Sequence, residues 1–170
     1  MRTLIVVDVQ NDFITGVLGS DDAVAIMPNI KKKIKEYVDA GERVIFTRDT
    51  HSDDYLKTNE GKHLPFEHCI QYTHGWKIAD DIDKAVPNCT YINKPNFGYL
   101  NWKHRQFNDD VEIIGVCTDI CVVSNALILK ATFPEINIKV DASCCAGVNP
   151  ETHKAALETM RMCQIEIVGE

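Results

Sequence analysis

The chain has 170 residues, 45% hydrophobic and 25% charged, with a formal net charge of -7 at neutral pH. That length suits one domain over residues 1–170 with a full core. The acidic balance argues against a nucleic-acid or anionic-membrane partner, since either needs a basic face. No run reaches the roughly 18 consecutive apolar residues that a membrane span requires.

The opening MRTLIVVDVQND regains charge after a short apolar run, too soon for a secretory signal, so a cytoplasmic protein is expected. Its first strand is Thr3 to Val9, β-branched and almost continuously apolar, as in a parallel strand buried on both faces. Pro28 opens a helix whose residues Ile30, Ile34, Tyr37 and Val38 share one face and which ends at Gly41. The surrounding lysines, Lys31, Lys32, Lys33 and Lys35, read as a solvated face. A second strand runs from Arg43 to Arg48. After it, Asp49 to His74 shows little periodicity, and a loop that long is usually functional.

A short third strand, Tyr91 to Asn93, is flanked by Pro87 and Pro95, and Tyr99 to Phe107 is expected to form a short helix. The fourth strand, Val111 to Ile114, breaks at Gly115, and apolar residues recur at helical spacing from Val122 to Thr132. Thr118 or Asp119 is expected to cap this helix, and Cys121 then falls in its first turn. There the free N–H groups and the helix dipole favour a thiolate. A fifth strand at Ile136 to Val140, with Cys144 and Cys145 at its buried end, a helix from Glu151 to Met162 behind Pro150, and a sixth strand at Gln164 to Val168 complete the chain. The seven cysteines, at 69, 89, 117, 121, 144, 145 and 163, include no CxxC pair and read as reduced thiols.

This alternation predicts an α/β fold: a three-layer, doubly wound, six-stranded parallel sheet with helices on both faces. In such sheets the ligand crevice lies beyond the carboxyl ends of the strands. Asp8, Asp49, Lys94 and Cys121 follow strands one to four and would share that rim. Singly, Asp8 also fits a structural carboxylate, Lys94 a solvated lysine and Cys121 an inert buried thiol. Together an acid, a cation and a thiol are what covalent acyl chemistry needs.

DVQNDF at Asp8 to Phe13, INKPNFG at Ile92 to Gly98 and GVCTDICV at Gly115 to Val122 resemble the signature segments of cysteine hydrolases of the isochorismatase-like superfamily. RDTH at Arg48 to His51 and LPFEHC at Leu64 to Cys69 resemble the metal-binding segments of its nicotinamidase branch. The resemblance implies Asp8 as general base, Lys94 as orienting cation and Cys121 as nucleophile. It also implies a cis peptide from Val116 to Cys117, and an oxyanion hole made by the Cys117 and Cys121 backbone N–H groups. A homo-oligomer is implied as well.

Asp49 and His51, two apart at a strand end, can face one ion, with His68 returning from the long loop and Glu60 as a further candidate ligand. Such a set suits zinc, iron or manganese. His63 and His74 read as exposed loop histidines, and Cys69 as packed inward. Where many nicotinamidases place an aromatic residue before the proline of the second metal segment, this chain has Leu64. Phe13 and Phe97 are then the expected ring partners, with Trp76 or Trp102 as additional candidates. The implied function is metal-dependent hydrolysis of nicotinamide, a small-molecule amide, to nicotinate and ammonia through a thioester. Another small amide, a metal-independent isochorismatase-like reaction, or a ligand-binding homologue without turnover are the alternatives.

Overall fold

Every residue of β1 (Thr3–Val7) is buried, and alternate side chains enter different cores. Leu4 and Val6 point into one, Ile5 and Val7 into the other, as the two-residue period of a strand demands. The computed structural model describes residues 1–79, 82, 86 and 89–170. Around β1 lie β2 (Arg43–Asp49), β3 (Thr90–Lys94), β4 (Val111–Val116), β5 (Ile138–Ala146) and β6 (Glu166–Val168), in the order β3-β2-β1-β4-β5-β6. All neighbouring pairs are parallel, so the sheet is the expected one. From β1 the chain winds outward to β3, then returns to the other side of β1 and winds outward to β6. The strand order therefore reverses between β1 and β4, the point at whose carboxyl ends such sheets bind their ligands.

The first core packs α3 (Met27–Asp39) on the sheet through Met27, Ile30, Ile34 and Tyr37. The second packs α5 (Val123–Thr132) and α6 (Pro150–Met162) on the opposite face through Ala126, Leu129, Leu157 and Met160. Three short helices not anticipated from periodicity, α1 (Asn11–Ile14), α2 (Asp21–Ala25) and α4 (Asn59–His63), lie in the connections. Each spans barely one turn, which is too short to show a period.

Several boundaries differ from the sequence-based expectations. β5 begins at Ile138 and continues to Ala146, because the Asp141 carboxylate that interrupts its apolar run is satisfied locally, accepting from Ser143 N and Oγ at 3.0 and 2.6 Å. The expected helix at Tyr99 to Phe107 is only a 3-10 segment, Leu100–His104. Gln164 adopts a left-handed φ of 64° as the chain leaves α6, so β6 starts later, at Glu166. Pro87 lies outside the described residues. Lys33 is not part of a solvated face. Its Nζ bridges Glu112 Oε1 at 2.8 Å and Asp141 Oδ2 at 2.9 Å, tying α3 to the sheet. Among the described residues no helix is long and apolar enough to cross a membrane.

Candidate active site and metal-binding group

The rim is assembled by strand ends. Asp8 follows β1 with a φ of 49°, a left-handed conformation that costs a non-glycine residue on the order of 1 kcal/mol. Its side chain is completely buried. Oδ1 accepts from Thr47 Oγ1 at 2.7 Å, and Oδ2 faces Lys94 Nζ at 2.6 Å. That oxygen has no hydrogen bond of good geometry among the described residues, so the ion pair alone satisfies it.

Lys94, the last residue of β3, is equally buried. Besides Asp8 its ammonium donates to Asn96 O at 3.0 Å and Cys121 Sγ at 3.5 Å, and stands 3.4 Å from Asp49 Oδ1. Burial works against its charge, but Asp8, Cys121 and Asp49 outweigh that and hold its pKa well above the ordinary lysine value. Burial also raises Asp8 above the usual carboxylate range, with Lys94 opposing.

Cys121 sits in a π-turn, Thr118–Val122, that follows β4 directly. Two backbone features place it there. The Val116–Cys117 peptide is cis, as the family resemblance implied. Gly115 has a φ of 123°, and a Cβ on it would stand 2.1 Å from Val7 O, so only glycine fits where β4 pairs with Val7 and shifts register against β5. Neither Thr118 nor Asp119 caps the turn through its side chain, contrary to expectation. Nor does the helix start leave a resting thiolate. Burial first, and the Asp8 charge second, push the Cys121 thiol well above its usual pKa, with Lys94 pulling the other way. The Cys121 sulfur thus stands beside the Lys94 ammonium, which opposes the effect of burial on it.

The long loop returns to the rim by pairing Ile70 with His51 in a parallel bridge, which carries His68 to the end of β2. Asp49 Oδ2 lies 2.9 Å from His51 Nε2 and 3.5 Å from His68 Nε2. Glu60 Oε1, on α4, lies 3.7 and 3.8 Å from the same two nitrogens. The four ligand atoms all lie within 4.8 Å of one another. Two donors about 2.1 Å from one zinc ion at a tetrahedral angle stand about 3.4 Å apart, so this group fits a single ion. His68 Nδ1 bonds Phe66 O at 2.8 Å, which turns Nε2 toward Asp49 and Glu60, the outer-shell device by which a histidine is oriented toward a metal. Burial alone would raise the Asp49 pKa, but hydrogen bonds from His51 and His68 and the Lys94 charge keep it far below the usual range.

Other expected residues divide. Phe13 is buried with its ring 5.5 Å from that of His68, beside the metal-binding group. Leu64 is half-buried and its carbonyl accepts from Tyr55 Oη at 2.9 Å. Phe97 is exposed just beyond Lys94. Trp102 is fully buried in the core, with the Tyr99 ring edge-on at 5.1 Å. Trp76 is buried, with the Arg48 guanidinium 4.0 Å above its ring. His63 and His74 are exposed and Cys69 is buried, as expected.

Sequence reasoning missed the residues that hold the site together. Gln10 donates through Nε2 to Asp49 O and Trp76 O, at 2.9 and 2.8 Å, and its Oε1 accepts from Asp49 N at 2.7 Å. Asp12 accepts from Cys69 N at 2.8 Å. Polar residues directly after a fully buried strand were the available signal. Asn125 is completely buried, accepts from Tyr99 N and Trp102 Nε1, each at 3.0 Å, and donates to Phe97 O and Cys121 O. It joins the segment after Lys94 to the Cys121 turn. Tyr55, fully buried, packs its ring 4.7 and 4.9 Å from those of His51 and His68.

Known proteins share this arrangement of chain. The nicotinamidase/pyrazinamidase of Mycobacterium tuberculosis is 28% identical over 186 residues, covering 99% of this chain and 98% of its own. The nicotinamidase of Schizosaccharomyces pombe is 26% identical, covering 98% of this chain and 92% of its own. Among solved structures, the pyrazinamidase of Pyrococcus horikoshii in complex with zinc superposes with a TM-score of 0.82 at 26% identity, over 99% of both chains. The isochorismatase domain family matches residues 2–169, so the chain belongs to the isochorismatase family.

Proposed function

We propose that this protein is a cysteine amidohydrolase that converts nicotinamide to nicotinate and ammonia. The observation that supports this most is the contact of one buried ammonium with three groups: Lys94 Nζ with Asp8 Oδ2, Cys121 Sγ and Asp49 Oδ1, at 2.6, 3.5 and 3.4 Å. It puts base, thiol and metal-binding group side by side. The names of its relatives, nicotinamidase and pyrazinamidase, support a ring-nitrogen amide as substrate.

In this reading Asp8 takes the Cys121 proton as sulfur attacks the amide carbon, so no free thiolate need accumulate. The carbonyl oxygen becomes an oxyanion held by the Cys117 and Cys121 backbone N–H groups. The carbon–nitrogen bond then breaks, and ammonia leaves with the proton that Asp8 held. Asp8 next deprotonates a water, which adds to the thioester. The carbon–sulfur bond breaks, nicotinate departs and the thiol is restored. Lys94 keeps Asp8 ionised between these transfers and lowers the cost of developing charge on sulfur.

Asp49, His51, His68 and Glu60 would hold a divalent transition metal, zinc by preference with iron or manganese as alternatives. When bound, the ion supplies a Lewis-acid anchor for the substrate's ring nitrogen. Phe13, Leu64 and Phe97 would line the ring pocket. Ammonia release measured over a panel of small amides tests the assignment. Nicotinamide and pyrazinamide should lead; no release from either, with metal supplied, would rule it out.

A further inference from the structure

The turn bearing Cys117 and Cys121 is held in place by residues outside the site described above. Its backbone closes with Val122 N bonded to Cys117 O at 3.0 Å, an i to i+5 contact of the π type. Such turns are rare and frequently lie at functional sites. Here the support comes from the first turns of α6. Thr118 is fully buried, and its hydroxyl lies 2.8 Å from Nδ1 of His153. The next residue, Asp119, accepts from Val148 N at 2.9 and 3.1 Å and from the Thr152 hydroxyl.

The body they tie to is fixed. Asn149 caps α6, accepting from Thr152 N at 2.9 Å through Oδ1 and from His153 N at 3.0 Å through its carbonyl. Leu157 and Met160 then bury the helix in the same core as Val122 and Ala126. Space for both ties depends on Gly147, where a Cβ would stand 2.8 Å from His153 Cβ and 3.1 Å from Asp119 Oδ2.

We propose that His153 is a positioning residue for the reaction: through the Thr118 hydroxyl it fixes the turn that presents Sγ and the two oxyanion N–H groups. This rests on the proposed acyl transfer at Cys121. The physical reason is that a preorganised hole and a nucleophile in a short turn move together, and small misplacements of either cost large factors in rate. Substrate held at the metal-binding group, on a different loop, would bind as before. His153 would therefore act on kcat and leave KM alone.

The bonded atom gives a sharp test. An asparagine at 153 places its amide where Nδ1 stands, whereas a glutamine reaches only to the position of Nε2. In the metal-loaded full chain, His153→Ala should lower kcat on nicotinamide about tenfold or more, with KM within about twofold of wild type. Thr118→Val should do the same, and the double variant should be no worse than either single one, since both break one link. His153→Asn should retain most of the rate and His153→Gln should not. Hydrogen exchange of the Thr118 to Val122 amides, read by mass spectrometry, should accelerate in His153→Ala and Thr118→Val but not in His153→Asn.

Unchanged kcat in His153→Ala, or equal losses for asparagine, glutamine and alanine, would overturn the inference while leaving the amidase reading intact. If wild type releases no ammonia, that reading fails, and the exchange measurement still decides whether His153 orders the turn. Unaltered exchange in both His153→Ala and Thr118→Val would overturn it.

Discussion

Lys94 Nζ lies 3.4 Å from Asp49 Oδ1, so the ammonium beside the Cys121 thiol is also paired with a member of the candidate metal-binding group. Two substitutions at this link should move the thiol in opposite directions. The Asp49 charge raises the Cys121 pKa and the Lys94 charge lowers it. With both proteins stripped of metal, Asp49→Asn should react with iodoacetamide at lower pH than wild type. Lys94→Met, which keeps bulk and removes charge, should react only at higher pH. The pH dependence of Cys121 alkylation, followed by peptide mapping, checks both signs.

Removing the base while keeping its shape should be costly. Asp8→Asn is expected to lower kcat by on the order of 100-fold or more. In wild type the base must be ionised, and burial raises its pKa above the usual value. Activity should therefore fall on acidification at a pH above the roughly 3.9 of a free aspartate. A pH profile of kcat/KM on nicotinamide measures that limb, and near wild-type turnover in Asp8→Asn would return Asp8 to a structural role.

Metal binding should weaken with acid earlier than for free imidazole. Burial opposes the charged form of His68, but hydrogen bonds to Asp49 and Phe66 and nearby carboxylates outweigh it and raise its pKa in the metal-free protein. Protons bound there must leave before the metal binds, so affinity should decline on acidification from above about 6.5. Zinc titrations at several pH values should show this, and His68→Ala should weaken binding at all of them.

Asn125 supplies the mechanical link between the Lys94 segment and the Cys121 turn. Asn125→Ala strands the Trp102 indole N–H and the Cys121 carbonyl in a buried setting, and also releases the part-buried Tyr99 amide and Phe97 carbonyl. Each unsatisfied group costs about 1–3 kcal/mol, so chemical denaturation should show a loss of about 2 kcal/mol or more. Activity should fall with it, because both sides of the rim lose their register.

Much of this architecture can be read from residues alone. β1 is legible because a strand buried on both faces leaves a nearly unbroken apolar run, and β2 and β4 keep shorter ones at Val44 to Phe46 and Ile113 to Ile114. The gathering of Asp8, Asp49, Lys94 and Cys121 then follows from the parallel sheet. Cys144 and Cys145 read as the buried end of β5, but the stretch joining them to Val140 is hidden, because Asp141 and Ser143 look like loop residues until Lys33 and their own hydrogen bond account for them. Thr118 and Asp119 were read as local caps, as their residue types suggest. Their actual partners, His153 and Val148, lie 35 and 29 positions away, where no local pattern points. Gln10, Asp12 and Asn125 were missed for the same reason: their partners come from distant loops.

The most direct measurement is of the covalent intermediate. Metal-loaded protein turning over nicotinamide, quenched in acid and digested, should show one nicotinoyl group on the peptide containing Cys121, absent in Cys121→Ala. Ammonia release with Cys121 unmodified at every quench time, and persisting in Cys121→Ala, would contradict the account.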